Sequence, residues 1–127
     1  MWTRRWFKCV KAVIALGIVA SAAHFADNAI EIATYPEPAW ITPIGIGATW
    51  IGLSAIACTA LLRRTPDALF FLCAAVYALT LIAGLAHYFF GSPLRMPTRS
   101  NATVLSEALA GMALATLLLL RATATRT

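Results

Sequence analysis

Charge is what this sequence has least of. Ten Lys and Arg and five Asp and Glu are spread over 127 residues, 12 % in all, where a soluble domain carries about 25 %. So few charges cannot cover a compact water-facing surface when 61 % of the residues are apolar, and a bilayer is the expected solvent. Cysteine is scarce too. Cys9, Cys58 and Cys73 are an odd number with no CxxC spacing, which excludes a disulfide framework, a zinc finger and a c-type haem motif; all three are expected as small packing residues. HExxH, the ferritin-like ExxH and a P-loop are also missing. No run alternates polar with apolar residues, so a transmembrane β-barrel is excluded.

What is present is long apolar stretches: Lys11 to Ile32, Trp40 to Leu62, Ala68 to Phe90 and Ala102 to Leu120. Each is close to the roughly 20 residues that a helix needs to cross the hydrocarbon core. A lone spanning segment must satisfy its own backbone, so each is read as a helix. The expected fold is all-α, a single four-transmembrane-helix bundle over residues 1–127, with helices at about 11–33, 40–62, 66–90 and 102–120. Pro36 and Pro38 stop the first helix. Thr65 is the expected N-cap before Pro66, and Ser100 or Asn101 the expected cap of the last helix.

The net charge of +5 would suggest nucleic acid in a soluble protein, but here its placement explains it, and no nucleic-acid partner is expected. Arg4, Arg5, Lys8, Lys11, Arg63, Arg64, Arg121 and Arg126 fall on one side of the bundle, with Arg95 and Arg99 on the other. The positive-inside rule then puts both termini in the cytoplasm. Trp2 and Trp6 would sit at the inner interface, and Tyr35, Trp40, Tyr88 and Phe90 at the outer one. Residues 1–25 also resemble a cleavable signal peptide in make-up, but the helical pattern runs past any cleavage point to Ile32.

Against this apolar background His24, Asp27, Asn28 and Glu31 stand out. At about 100° per residue they share one face of the first helix, extended inward by Gly17 and Ser21. His87 on the third helix and Glu107 on the fourth fall in the same outer half of the membrane. An ionised carboxylate there is costly unless paired, and histidine is the expected cation, because no Lys or Arg lies at that depth. The second helix, rich in Gly45, Gly47, Gly52, Ser54, Ala55 and Thr59, is expected to serve close helix approach. Glu31 and Glu37 are expected as solvated rim charges.

Several chemistries fit such a cluster. A pocket of His24, Asp27, Asn28, His87 and Glu107, with Trp40 at its edge, would bind a hydrophobic small molecule or lipid of sterol-, isoprenoid- or quinone-like kind. His24 would then be the acid/base candidate, Asp27 and Glu107 its partners, and Asn28 a donor to ligand. The same residues could instead pin helices in register, with or without a partner protein. Lesser alternatives are a metal held by His24, His87 and Glu107, and a haem b held by His24 and His87, whose estimated depths differ by roughly 10 Å. A pore would require an oligomer, which the sequence leaves open.

The motifs "HFADN", "YPEPAWIT" and "GLAHY", with an acid early in the last helix, resemble a group of small bacterial four-helix integral membrane proteins over about residues 12–120. That likeness implies the architecture and a bacterial plasma-membrane location, and carries no activity with it. A more distant likeness is to the EXPERA superfamily of emopamil-binding sterol isomerases and the sigma-2 receptor. It rests on His24 with Asp27 and on the Glu37-to-Trp40 lead-in to helix 2, and implies a lipid-facing pocket. Helix 2 here lacks the acid found in that family, so isomerase activity is not implied.

Overall fold

A computed structural model describes residues 4–62 and 65–124. Trp2, Arg63, Arg64 and Arg126, placed by sequence at the basic end, lie outside the described residues. The elements are α1 (Arg4–Ile30), α2 (Pro43–Leu61), α3 (Asp67–Ala83), a 3₁₀ turn (Gly84–Ala86), α4 (His87–Phe90), a second 3₁₀ turn (Pro93–Arg95) and α5 (Thr98–Ala124). The described residues contain no strand. Four stretches, Arg4–Ile30, Pro43–Leu61, Asp67–Phe90 and Thr98–Thr123, are helical, long and apolar enough to cross a membrane.

The helices pack as a ring in which α2 and α5 each sit between α1 and α3. The main core fills one end, where Trp6, Val10 and Ile14 of α1 meet Phe70, Tyr77 and Leu81 of α3 and Leu114 of α5. Arg121 of α5 stacks there on Phe71 at 4.2 Å and Trp6 at 5.0 Å. A smaller core of Tyr35, Met96 and Val104 closes the other end. Large apolar side chains point outward all round, among them Val19, Ile51, Leu79 and Leu119.

Helix ends differ from the sequence reading for identifiable reasons. The first helix starts at Arg4, a full two turns before Lys11, because its basic residues still have good helix propensity. It ends at Ile30, and Thr34 N–H then closes a turn on the Glu31 carbonyl at 2.8 Å. Thr42 caps α2 through Gly45 N–H at 3.1 Å, with Pro43 in the first turn, so Trp40 and Ile41 remain outside the helix. Thr65 does not cap α3; its hydroxyl donates to the Thr59 carbonyl at 2.6 Å. Neither Ser100 nor Asn101 caps the last helix, which already starts at Thr98 behind Pro97. The Ser100 hydroxyl bonds Asp27, and the Asn101 amide bonds the Pro93 carbonyl and accepts from Tyr88. Lys11 Nζ donates to the Leu61 and Leu62 carbonyls at 3.1 and 3.0 Å, closing the end of α2.

Close helix approach falls on other glycines than the sequence suggests. Nothing lies within 4 Å of a Cβ added at Gly47 or Gly52 of α2. At Gly111 of α5 that Cβ would stand 2.9 Å from the Ala78 carbonyl of α3 and 2.8 Å from Leu81 Cβ. Of the cysteines only Cys73 is buried; Cys9 and Cys58 face outward. Gly111→Ala is expected to lower stability by about 1–3 kcal/mol, since backbone must move. Gly52→Ala is expected to be neutral or to raise it by up to about 1 kcal/mol through helix propensity. Thermal unfolding of the two variants in detergent checks the contrast.

Candidate functional site

Between the two cores lies a polar layer, built from α1 outward. His24, Asp27 and Asn28 of the expected stripe are all buried, as are Gly17 and Ser21 below them. Ser21 Oγ bonds the Tyr77 hydroxyl at 3.2 Å and accepts from Trp50 Nε1 at 3.1 Å, tying α1 to α3 and α2. Above Ser21 the stripe splits into two clusters.

The first is a chain of four ionisable groups. His24 Nδ1 pairs with Glu107 Oε2 of α5, with the side chains 3 % and 2 % exposed. His24 Nε2 meets His87 Nε2 at 3.2 Å. His87 Nδ1 faces Glu37 Oε2 at 4.0 Å, and the Pro36 carbonyl meets the same ring. Asn28 Nδ2 donates to Glu37 Oε2 at 3.2 Å and lies 3.5 Å from His87 Nε2. Proton positions follow from partner counting. An amide nitrogen only donates, so His87 Nε2 is an acceptor and His87 carries its hydrogen on Nδ1. His24 Nε2 must then donate to it, while Nδ1 faces Glu107. The Tyr35 ring braces both imidazoles, 5.9 Å from His24 and 5.0 Å from His87.

Local backbone makes this possible. A Cβ on Gly84 would stand 2.6 Å from Glu107 Oε2 and 3.4 Å from His24 Cε1, so a larger residue at the end of α3 would push on the pair. The tighter 3₁₀ turn at Gly84–Ala86 then sets the orientation of His87 at the start of α4.

The second cluster holds Asp27. Its Oδ2 accepts from the Tyr35 hydroxyl at 2.8 Å and Ser100 Oγ at 2.6 Å, and its Oδ1 pairs with Arg99 Nε at 2.6 Å. Arg99 Nη2 also reaches Glu31 at 2.8 Å. The expectation that histidine is the only cation at this depth is therefore corrected. Arg99, in the first turn of α5, swings its long side chain down onto Asp27. Asp27 is a partner of Arg99 and Tyr35 and not of His24. Burial pushes the Tyr35 phenol up to about 12, with the Asp27 carboxylate adding to the rise.

A cavity of about 560 Å³ opens beside the first cluster. His24, Asn28, Glu37, His87 and Glu107 form its polar end, and Phe25, Ile46, Leu53 and Ala83 contribute to its apolar flank. Trp40 stands at its rim, 78 % exposed. Thus five of the six sequence candidates line one space, and Asp27 is the exception. Glu37, expected as a solvated rim charge, is turned inward with its side chain 9 % exposed. Glu31 at 36 % stays at the rim. Tyr35 is buried instead of sitting at an interface. The roughly 10 Å offset between the histidines, counted from helical rise, is also corrected, since their Nε2 atoms stand 3.2 Å apart.

That contact decides the haem alternative. Axial ligation needs an iron and a porphyrin plane between two imidazoles, and two Nε2 atoms 3.2 Å apart leave no space for either. Among the described residues no group of three or more His, Cys, Asp or Glu is arranged as a metal-ligand set. No protein-family model, curated protein or solved structure matches the chain.

Two measurements probe the clusters. His24→Ala leaves Glu107 buried without its partner and is expected to cost about 3–5 kcal/mol in thermal or denaturant unfolding, whereas His24→Leu combined with Glu107→Leu is expected to restore most of it. Tyr35, raised from its ordinary 10.0 to about 12, favours the fold while protonated. Its contribution is complete below about pH 10 and is lost as pH rises through 12. Tyr35→Phe is expected to flatten that alkaline loss of stability; an unchanged slope would rule the phenol out as its source.

Proposed function

We propose that the chain is a multi-pass membrane protein with both termini cytoplasmic, and that it binds a hydrophobic small molecule or lipid in the cavity between α1, α2 and α3. The observation that carries the binding reading is the cavity itself. Its volume of about 560 Å³ lies within the roughly 300–1,000 Å³ of small-molecule sites, with an apolar flank and a few convergent buried polar groups. The ligand's chain would lie along Ile46, Leu53 and Ala83, and its polar end would meet His24, Asn28, Glu37 and His87.

Membrane insertion is supported by the four apolar helices and their outward-facing large apolar side chains, a surface that water would not tolerate. The orientation rests on Arg4, Arg5, Lys8, Lys11 and Arg121 at one end against Arg95 and Arg99 at the other. The resemblance of the motifs to those of small bacterial membrane proteins favours a bacterial plasma (inner) membrane as the location. Acid/base chemistry on the ligand is a natural extension. His24, held by Glu107 on one nitrogen and hydrogen-bonded to a second imidazole on the other, is built to hold and pass a proton.

Helix pinning is favoured by a specific observation for Asp27 alone, whose oxygens are all taken by Arg99, Tyr35 and Ser100. The two readings therefore apply to different clusters of one layer. The decisive experiment is mass spectrometry of molecules that co-purify with the protein. Wild type is expected to retain one hydrophobic species, and Thr49→Trp, which fills the cavity from the exposed side of α2, to lose it while unfolding at a similar temperature. Absence of any specific species from wild type would remove the binding reading.

A further inference from the structure

The polar end of the cavity is unevenly provided with donors and acceptors. Glu37 and Asn28 are each more than nine-tenths buried, at 9 % and 6 % exposure. Each keeps one oxygen, Glu37 Oε1 and Asn28 Oδ1, without a partner among the described residues. The side-chain donors of Asn28, His24 and His87 beside them are already engaged. The Asn28 amide gives its hydrogens to Glu37 and toward His87, the two His24 nitrogens face Glu107 and His87, and the remaining His87 N–H faces Pro36 and Glu37. Thr80 on the α3 wall donates to the Tyr77 carbonyl. The hydroxyls of Thr42 and Thr49 belong to the α2 side of the cavity. Buried acceptors left this way are destabilising, and native proteins almost always satisfy them.

We propose that this end of the cavity is an acceptor site for a long-chain ligand headed by a hydrogen-bond donor, an O–H or N–H group, which the Glu37 carboxylate and the Asn28 amide oxygen turn to receive. The proposal rests on the cavity-binding reading above and narrows it. Of the lipid-soluble classes that the sequence admits, quinones and esters bring only acceptors to this site. Fatty acids and phosphate-headed lipids bring negative charge against the Glu37 carboxylate. Alcohols and amines bring what the site lacks.

The geometry also sets a pH dependence. Burial raises the Glu37 carboxyl above its ordinary value, and the Asn28 hydrogen bond opposes the rise. His87 from α4, His24 from α1 and Glu107 from α5 are the other titratable groups facing this end, and α2 and α3 contribute none to the wall. When Glu37 takes a proton it becomes a donor itself. Affinity for a donor-headed ligand is therefore held above the Glu37 pKa and falls as pH drops through it.

The test uses four probes of one chain length: dodecan-1-ol, dodecylamine, methyl dodecanoate and dodecanoate. They are titrated into the purified protein in one detergent, with tryptophan fluorescence and calorimetry as readouts. The alcohol and the amine are expected to bind at least about tenfold tighter than the ester and the carboxylate, the scale of one or two hydrogen bonds. Glu37→Gln, which keeps the shape of the side chain, is expected to remove most of that gap and its pH dependence. Equal binding of alcohol and amine assigns a neutral head and a much tighter amine a cationic one, and both support the site. An ester or carboxylate that binds as tightly as the alcohol overturns the donor inference and leaves cavity binding standing. Failure of all four probes overturns both.

Discussion

The pair formed by Glu107 and His24 is the constraint around which this fold is arranged. A carboxyl group that is 2 % exposed, in a bundle with so few charges, must be met by a partner that is itself buried. The partner comes from α1, which meets α5 at that level. Because the pair occupies the space beside α3, that helix passes it with a glycine, Gly84, and it tightens there into a 3₁₀ turn. The turn delivers His87 to the second nitrogen of His24, and His87 in turn meets Glu37 and the Pro36 carbonyl. One buried pair is thus continuous with a close-packed glycine, a 3₁₀ turn and the loop after α1.

The same helix face supports a second and different task one residue away. Asp27 and Glu31 are four apart and turn toward the start of α5, where Arg99 spans both. His24 and Asn28 are also four apart and turn toward the cavity. A stripe about 100° wide is broad enough to serve two neighbours. Asp27 is fully satisfied, whereas Asn28 and Glu37 each keep an orphaned oxygen, so one polar layer holds two different environments.

Legibility in the sequence follows periodicity. The apolar runs and the polar face of α1 repeat at helical spacing, so the all-helical architecture and the burial of His24, Asp27 and Asn28 could be read directly. His87 and Glu107 were identifiable as ionisable groups inside apolar runs. Three contributors had no such signal. Tyr35 and Glu37 lie in a segment without a period, where the Pro-Glu-Pro backbone turns them inward. Arg99 has its Cα at a helix end and its guanidinium about a turn lower, which a count by residue cannot foresee. The glycines of α2 misled for a related reason. Small residues permit close approach, but only facing residues decide where it occurs, and Gly17, Gly84, Gly91 and Gly111 face close neighbours where Gly47 and Gly52 do not.

The openness of α2 then acquires a use. It is the least buried of the four long helices, and its exposed Gly45 and Thr49 share the cavity wall with buried Ile46. A helix needed chiefly to hold the bundle would bury a wide apolar stripe. This one instead leaves a gap toward α3, flanked by Trp40 at the top and Leu53 below. At the end of the bundle the loop through Glu37 covers the polar layer, and Pro36 packs against Gly91 across it. In the proposed membrane setting the easy route to His24 is therefore sideways from the bilayer, which suits a ligand that travels with its chain in lipid and its hydrogen-bonding head toward the covered end. A water-soluble ligand would have to displace that loop, and the carboxylate it would meet first, Glu37, is one the loop has already turned inward.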